Sequence, residues 1–465
     1  MDIPKDNFPE WYNEVIERAK LVDKRYPVKG MHVWLPYGWK LMRNIDEYFR
    51  KIFTEHNHEE VYFPLLVPET DFKKEGEHIR GFENEVYWVT HGGATPLDVK
   101  LVLRPTSETA MYPLFSLWIR THADLPLRIF QIVNVFRYET KQTRTFIRVR
   151  EVHFFESHTA HATAEEAEEQ IRENIEIWKK VAKKLALPNV LVKKADWDKF
   201  PGAHYSIGAE TIMPSGRTLQ IATIHQYLQN FAKAYDIKYL KEDGTHDYVH
   251  QTTFGMSERL VGAIVGIHGD NRGLVIPPEI APIQIVIVPI IMKEKERILE
   301  EAKKIEDELK PYYRVYLDDR DNYTPGYKFY EWELKGVPLR LEIGPRDLEN
   351  NQVVLVRRDT FEKINIGREE YMEKIGELLK EIQENLLRRA EKEMREKIKK
   401  FENLEEVKEH KGIAVVNWCG SEECGHKIEE LTDKKIIGIP QEKRKGICAI
   451  CGKETDIVAY VAKPY

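Results

Sequence analysis

Between Arg137 and His158 the chain concentrates Arg137, Glu139, Arg148, Arg150, Glu156 and His158, residue types able to hold a polyanion. Planar guanidinium forks match phosphate oxygens two at a time and stay charged at any working pH. Strand-like runs at 129–139 and 147–157, rich in Val, Ile, Phe and His, flank a polar turn at 140–145 and predict a β-hairpin. Alternation puts Arg148, Arg150, Val152, Phe154, Glu156 and His158 on one face, and Ile147, Val149, Glu151, His153 and Phe155 on the other. An exposed hairpin laced with cross-strand ion pairs, each worth about 0.2–1 kcal/mol, would use the same residues. The alternative is a floor that clamps a phosphate-bearing ligand.

The second chemical group is made of cysteines. All four in the chain, Cys419, Cys424, Cys448 and Cys451, fall in two close pairs separated by a longer loop. That spacing predicts a tetrahedral zinc site of four thiolates, closed and structural because no coordination position is left for chemistry. Four reduced buried thiols, or His426 in place of one cysteine, are the other readings.

The elements that must position these groups follow from pattern. The chain has 465 residues, 42% of them hydrophobic, enough for two to four domains. Its net charge of −6 gives no global attraction to nucleic acid, so any such partner needs a local basic surface. The first seven residues hold no apolar run of the signal-peptide kind, and the longest apolar run, 280–292, is short for a bilayer and contains prolines. The expectation is a cytoplasmic protein without a membrane contact. Helices are predicted at 9–22, 36–56, 163–187 and 260–267. A strand near 60–68 contains Pro64, which suits an edge or a subunit boundary. Ser107-Glu108-Thr109-Ala110 reads as a helix cap after the strand 101–104, and 203–210 and 216–225 read as strands. A composition shift at Pro277-Pro278-Glu279 precedes an α/β module: strand 283–291, helix 293–309, strand 315–317, helix 327–334, strands 339–343 and 353–357. A long helix with one apolar stripe follows from about 369.

In this order the pieces resemble a class II aminoacyl-tRNA synthetase, of the archaeal and eukaryotic prolyl-tRNA synthetase type, over nearly the whole chain. The helix-strand ending at Pro64 looks like the first class motif, a dimer element. Phe136-Arg137-Tyr138-Glu139 with Arg148 and Glu156 looks like the second, and Gly255-Met256-Ser257-Glu258-Arg259 like the third. Individually these patterns are loose; their order, together with Thr106-Ser107-Glu108 and His268-Gly269-Asp270-Asn271, is specific to the proline enzymes. The span from Glu156 to Gly255 is too short for the bacterial editing insertion. One position departs from the class pattern: Val152 stands where a phenylalanine stacks on adenine.

The resemblance implies an α+β protein. A class II catalytic domain on an antiparallel sheet (1–280) precedes an α/β anticodon-binding domain (281–385) and a small zinc-binding α/β domain (386–465). It implies a homodimer that binds ATP with Mg2+, L-proline and tRNA(Pro) and ligates proline to tRNA through prolyl-adenylate. Arg137 would bridge the α-phosphate and the proline carboxylate, with Arg148 and Arg259 on the tail phosphates and base. Glu139, Val149, Gln220, Thr223 and Ser257 would seat the nucleotide, and Glu210 is the candidate magnesium ligand. Thr106 and Glu108 would accept from the proline ammonium. Phe154, Phe200, His225, Glu156 and His158 would build or support the ring slot, although both histidines could be satisfied core residues. Glu342 and Arg346 would read anticodon bases, and Arg357 and Arg358 would hold phosphates. A slot shaped for proline implies side activation of alanine or cysteine, since one methylene is worth only about 1–3 kcal/mol. The competing readings are a class II enzyme for threonine, glycine or histidine, and a catalytically inactive relative that senses tRNA or amino acid.

Overall fold

The computed structural model describes residues 1–291 and 294–465. Its largest sheet has seven strands in the order Glu59–Glu60, Leu127–Phe136, Glu151–His161, His250–Ser257, Thr218–Leu228, Tyr205–Ile212, Val190–Lys193. Only the short Glu59–Glu60 pairs in parallel, beside Leu127–Phe136; every other pairing is antiparallel. One face is apolar. Phe130, Phe155, Ile224 and Phe254 meet Phe49 and Phe53 of helix Pro36–Glu55, Ile171 and Trp178 of helix Ala164–Lys184, and Leu260 and Val261 of helix Arg259–His268. The last helix is apolar on all sides and buried, as such a sequence requires. A Cβ at its Gly262 would meet the Tyr12 hydroxyl at 3.1 Å and Ile147 at 3.2 Å, so glycine permits this close approach.

The opposite face carries polar cross-strand rows. Gln131 pairs with Glu156, Glu156 with Gly255 and Gly255 with Thr223; beside them His158 pairs with Thr253 and Thr253 with His225. Alternation therefore holds from Val152 onward. It fails before that, because the strands end at Phe136 and begin again at Glu151. Residues 137–150 form a loop instead of a tight hairpin, closed by the bond from Arg137 N to Arg150 O (2.9 Å) and by an Arg144–Arg148 bridge. So many charges on short strand ends would have to leave water; a loop lets each guanidinium find its own acceptor. Residues 69–100, for which the sequence pattern predicts no element, hold short helices and most of a three-stranded sheet of Leu66–Pro68, Thr95–Leu103 and Tyr87–Gly92.

The second unit has the strand order Val315–Leu317, Ile285–Pro289, Leu339–Ile343, Gln352–Arg357, Lys363–Gly367, the first three parallel. The helix expected from 293 is seen as Lys295–Leu309; Lys293, and Met292 at the end of the apolar run, lie outside the described residues. Helix Tyr371–Glu396 packs its Tyr371, Ile375, Leu378, Ile382 and Leu386 on this unit and its Met394 on the C-terminal one. The boundary expected at 385/386 thus falls inside a helix shared by both. The C-terminal sheet runs Ile398–Lys400, Ile413–Asn417, Val458–Ala462, Lys435–Gly438. It docks on the catalytic sheet through Lys193–Ile439 and Thr218–Pro464 bridges.

Candidate active site and metal centre

The polar face of the large sheet opens into a cavity of about 420 Å3. Arg137, Arg148 and Arg259, far apart in the chain, all line it, with Thr106, Glu108, Glu139, Val149, Phe154, Phe200, Gln220, Thr223, His225 and Ser257. Gln220 and Thr223 have opposite parity along one strand yet reach the same cavity. The register steps from Ala209–Ala222 to Glu210–Gln220, so Ile221 is an extra residue and the bulge brings Gln220 round.

The arginines are held mainly by backbone carbonyls. Arg137 Nε donates to Pro105 O (3.0 Å), and Arg259 donates to Ile147 O (2.8 Å) and Gln220 O (3.2 Å). Arg148 pairs with Glu139 (2.7 Å) and donates to the backbone oxygen of Tyr465 (2.6 Å). Carbonyls orient a guanidinium without neutralising it. Burial, reinforced by the like charges of Arg148 and Arg137, lowers Arg259 to about 10, and burial also lowers Arg137. Glu258, the other carboxyl at this spot, is fully buried, and burial pushes it up to about 7. The cavity is therefore electropositive and suited to a polyphosphate, with the start of helix Arg259–His268 adding its dipole in the same sense.

A narrower end is carboxylate-lined and aromatic. Buried Glu108 accepts from the Thr106 hydroxyl on one oxygen and from the Tyr227 hydroxyl on the other (2.6 Å), leaving lone pairs for a cationic amine. Phe200 stacks on His225 at 4.5 Å. Ser206 Oγ accepts from Phe200 N (3.0 Å) and bonds His225 Nδ1 (2.7 Å), and burial lowers His225 to about 3, so this imidazole is neutral. Glu156 and His158 do not line the cavity. They lie beneath it, fully buried and bonded at 3.0 Å, with Gln131 donating to Glu156 (2.8 Å) and Ser107 (3.0 Å) and Tyr112 on His158 Nδ1 (3.1 Å). Burial works against both charged forms, but their mutual contact outweighs it, raising His158 and lowering Glu156. Sequence reasoning missed Gln131, Tyr112 and Tyr227. Parity could have found two of them, since Tyr227 follows Thr223 and His225 on one face and Gln131 faces Glu156.

Several expected roles need correction. Glu210 does not line the cavity; Lys194 Nζ, which does, holds one of its oxygens at 2.7 Å while also donating to Ile437 O (2.9 Å), an ion pair that ties in the C-terminal unit. Arg357 forks onto Asp359 (3.0 and 2.9 Å) and reaches Glu381 (3.0 Å). Arg358 forks onto Asp270 of the catalytic domain (2.6 and 2.7 Å). Neither has a guanidinium edge left for a phosphate. Glu342 is buried against Arg340 (3.0 Å). Arg346 alone of that group is exposed, with its guanidinium unbonded among the described residues.

The four cysteine sulfurs lie within 4.8 Å of one another. A tetrahedral zinc with Zn–S bonds near 2.3 Å needs sulfurs roughly 3.8 Å apart, so the cage fits the ion. Burial works against the Cys419 thiolate, yet bonds from Ser421 bring it down to about 6, which suits a metal ligand. His426 stands outside this cage, bonding Glu422 instead.

An antiparallel sheet with an arginine-lined cavity over motifs two and three defines a class II aminoacyl-tRNA synthetase. Accordingly, the tRNA synthetase class II core domain (G, H, P, S and T) matches residues 87–268, an anticodon binding domain matches 284–378, and a prolyl-tRNA synthetase C-terminal domain matches 401–465. The sequence is 58% identical to the proline--tRNA ligase of Pyrococcus abyssi, over 99% of this chain and 98% of that one. It is 53% identical to that of Thermoplasma acidophilum, over 99% of each. The prolyl-tRNA synthetase of Giardia lamblia in complex with prolyl-adenylate superposes with a TM-score of 0.96 at 36% identity, over 99% of both chains. The chain belongs to the proline--tRNA ligase family.

Proposed function

We infer that this chain activates L-proline with ATP and transfers the prolyl group to tRNA. The observation that carries the reading is the meeting of Arg137, Arg148 and Arg259 in one cavity beside the Thr106–Glu108 amine site. A proline carboxylate oxygen attacks the α-phosphorus, the bond to the β-phosphate oxygen breaks, and pyrophosphate leaves. The terminal ribose hydroxyl of tRNA then attacks the carbonyl carbon and expels AMP. Both steps need anions held in line and charge neutralised rather than a strongly shifted acid or base. Arg137 is the side chain assigned to the reacting anions, because it lines the same cavity as the Thr106–Glu108 amine site and as Arg148 and Arg259, and its guanidinium is held by the carbonyl of Pro105 rather than by a carboxylate. The Glu156–His158 pair holds the slot from below.

A magnesium ion bound with ATP would supply charge screening of the phosphates and would need few protein ligands; with Glu210 paired to Lys194, no protein carboxylate is assigned to it. Cys419, Cys424, Cys448 and Cys451 would hold a structural zinc. Exposed Tyr62, Leu65, Leu66, Leu117 and Trp118 flank Pro64 and support a homodimer through that face. Among the described residues no helix is long and apolar enough to cross a membrane, which fits work in the cytoplasm. Arg346 remains the candidate for an anticodon contact. Proline-dependent ATP–pyrophosphate exchange followed by charging of a tRNA(Pro) transcript tests the reading. Binding of proline and ATP without exchange would favour the inactive relative. Exchange with alanine or cysteine is expected at a lower rate, and silence with both refutes the side activity.

A further inference from the structure

The second unit carries exposed aromatic rings that no core explains. Its first strand, Ile285–Pro289, lies between Val315–Leu317 and Leu339–Ile343, so the chain crosses to one side and then to the other. In open α/β sheets such a reversal leaves a crevice at the carboxyl ends of the strands, where ligands bind. The segment leaving Leu317 begins with Asp318, which is buried and accepts a two-pronged bond from Arg320 (2.8 and 2.8 Å) and one from Trp332 Nε1 (2.8 Å). Glu331 holds Arg320 from a second side (2.6 Å). The guanidinium, thus fixed, sits 4.7 Å from the centre of the Tyr323 ring, and Tyr323 stacks on Tyr327 at 4.5 Å with the planes 11° apart. Tyr327 is 47% exposed and has no second ring partner among the described residues.

We propose that Arg320, Tyr323 and Tyr327 form a prebuilt stacking platform for one unstacked base of the tRNA, with Tyr327 as the contact. This rests on the tRNA-ligating reading above and gives its second unit a specific contact. A base presents a flat π face whatever its identity, and stacking on an aromatic ring suits recognition of unpaired loop nucleotides. The neighbouring side chains Asp319, Arg320 and Asp321 are charged rather than apolar, which disfavours an apolar protein surface; the attraction offered to a base is the ring face itself. Because Asp318 and Glu331 order the pillar in advance, little freedom is lost when the base arrives.

The test uses the full chain, a tRNA(Pro) transcript, and two assays. Tyr327→Ala should raise KM for tRNA about 10- to 100-fold while leaving proline-dependent pyrophosphate exchange and the melting temperature unchanged. Tyr327→Phe should behave as the parent, and Tyr327→Leu as the alanine variant. Tyr323→Ala, which removes the backing ring, should give a smaller rise. A transcript abasic at the stacked anticodon-loop position should penalise the parent but add nothing to Tyr327→Ala. An unchanged KM in Tyr327→Ala, equal behaviour of Leu and Phe, or additive losses at every abasic position would overturn the platform. Absence of exchange in the parent would instead overturn the enzymatic reading.

Discussion

Two groups of arginines in this molecule, half-buried around the catalytic cavity and buried in the second unit, look alike in sequence and differ in what surrounds them. In the catalytic cavity Arg137 and Arg259 are held by carbonyls of Pro105, Ile147 and Gln220, and only Arg148 has a carboxylate partner. In the second unit Arg340, Arg357 and Arg358 each meet carboxylates: Glu333 and Glu342, Asp359 and Glu381, and Asp270. The electrostatics diverge accordingly. Burial and like charge lower Arg259 to about 10, whereas Asp359 raises Arg357. An oriented but unneutralised guanidinium is destabilising until an anion arrives; a forked one has already found its anion and serves as a joint. The acceptor, not the arginine, separates binding from architecture.

The sharpest test of that contrast is Arg259→Ala. Losing a charge-assisted clamp on the transferring group should lower proline-dependent pyrophosphate exchange about 10²- to 10³-fold. Relief of uncompensated buried charge should leave the melting temperature equal or higher. A large drop in melting temperature would place Arg259 with the structural group and erase the distinction. Arg358→Ala should do the reverse. It leaves Asp270 without its fork across the domain junction, and about 3 kcal/mol of stability should go, somewhat less because Asp270 is partly exposed. Exchange per folded molecule should change little. Denaturant unfolding of Arg358→Ala, Asp270→Ala and the double variant measures the coupling, and simple additivity would deny the pair.

This contrast also marks how far the sequence can be read. Residue type and spacing carry Arg137, Arg148, Arg259, Thr106, Glu108, Phe154, Phe200 and His225 into one cavity: strand alternation places Phe154 and His225, whereas Arg137 and Arg148 stand on the loop that breaks it and are legible only through their motif. The Arg357–Asp359 and Arg340–Glu342 pairs are two residues apart and open to the same alternation argument that finds the catalytic face, whereas Arg358 escapes such reasoning since Asp270 meets it only when the domains dock. Glu210 fails for the same reason: Lys194 reaches it only when the strands Val190–Lys193 and Tyr205–Ile212 pair. The loop 137–150 reads as strand because its Val, Ile and Phe residues satisfy a β pattern, while the cost of burying its charges is a property of the assembled site. Helices with apolar stripes, such as Pro36–Glu55 and Ala164–Lys184, are legible to within a few residues.

Glu258 offers a pH-dependent version of the comparison. Its folded value, about 7, lies above the ordinary 4.5, so the native state holds a proton that the unfolded chain releases. Stability attached to this group is therefore greatest below about pH 4.5, falls as pH rises to about 7, and is flat beyond, with a full amplitude on the order of 3 kcal/mol. Glu258→Gln keeps the shape and removes the ionisation, so its stability relative to the parent should grow between about pH 5 and 8. Above neutrality the ionised carboxylate also begins to neutralise Arg259, which should raise KM for ATP in the parent and not in the variant. Parallel pH profiles for both proteins would show that Glu258 is already charged in the native state, making the cavity less cationic than its geometry implies.

The smallest effect is expected at Val152, which lines the cavity on the strand that also carries Phe154 and Glu156. Arg259 is oriented by Ile147 O and Gln220 O, so its guanidinium plane can cover one face of a bound adenine, and a branched aliphatic side chain on the other face supplies contact area without a π surface. Val152→Phe adds that surface. A stacked pair contributes about 0.5–1.5 kcal/mol beyond burial, so KM for ATP should fall about 2- to 10-fold in exchange assays, with KM for proline unchanged. Pairing the substitution with Arg259→Lys separates two explanations. If the gain comes from sandwiching the base, it should shrink when the planar guanidinium is lost; if it comes from filling space, it should persist. An unchanged or higher KM in Val152→Phe itself would mean that the base is seated elsewhere in the cavity and that Arg259 serves the phosphates alone.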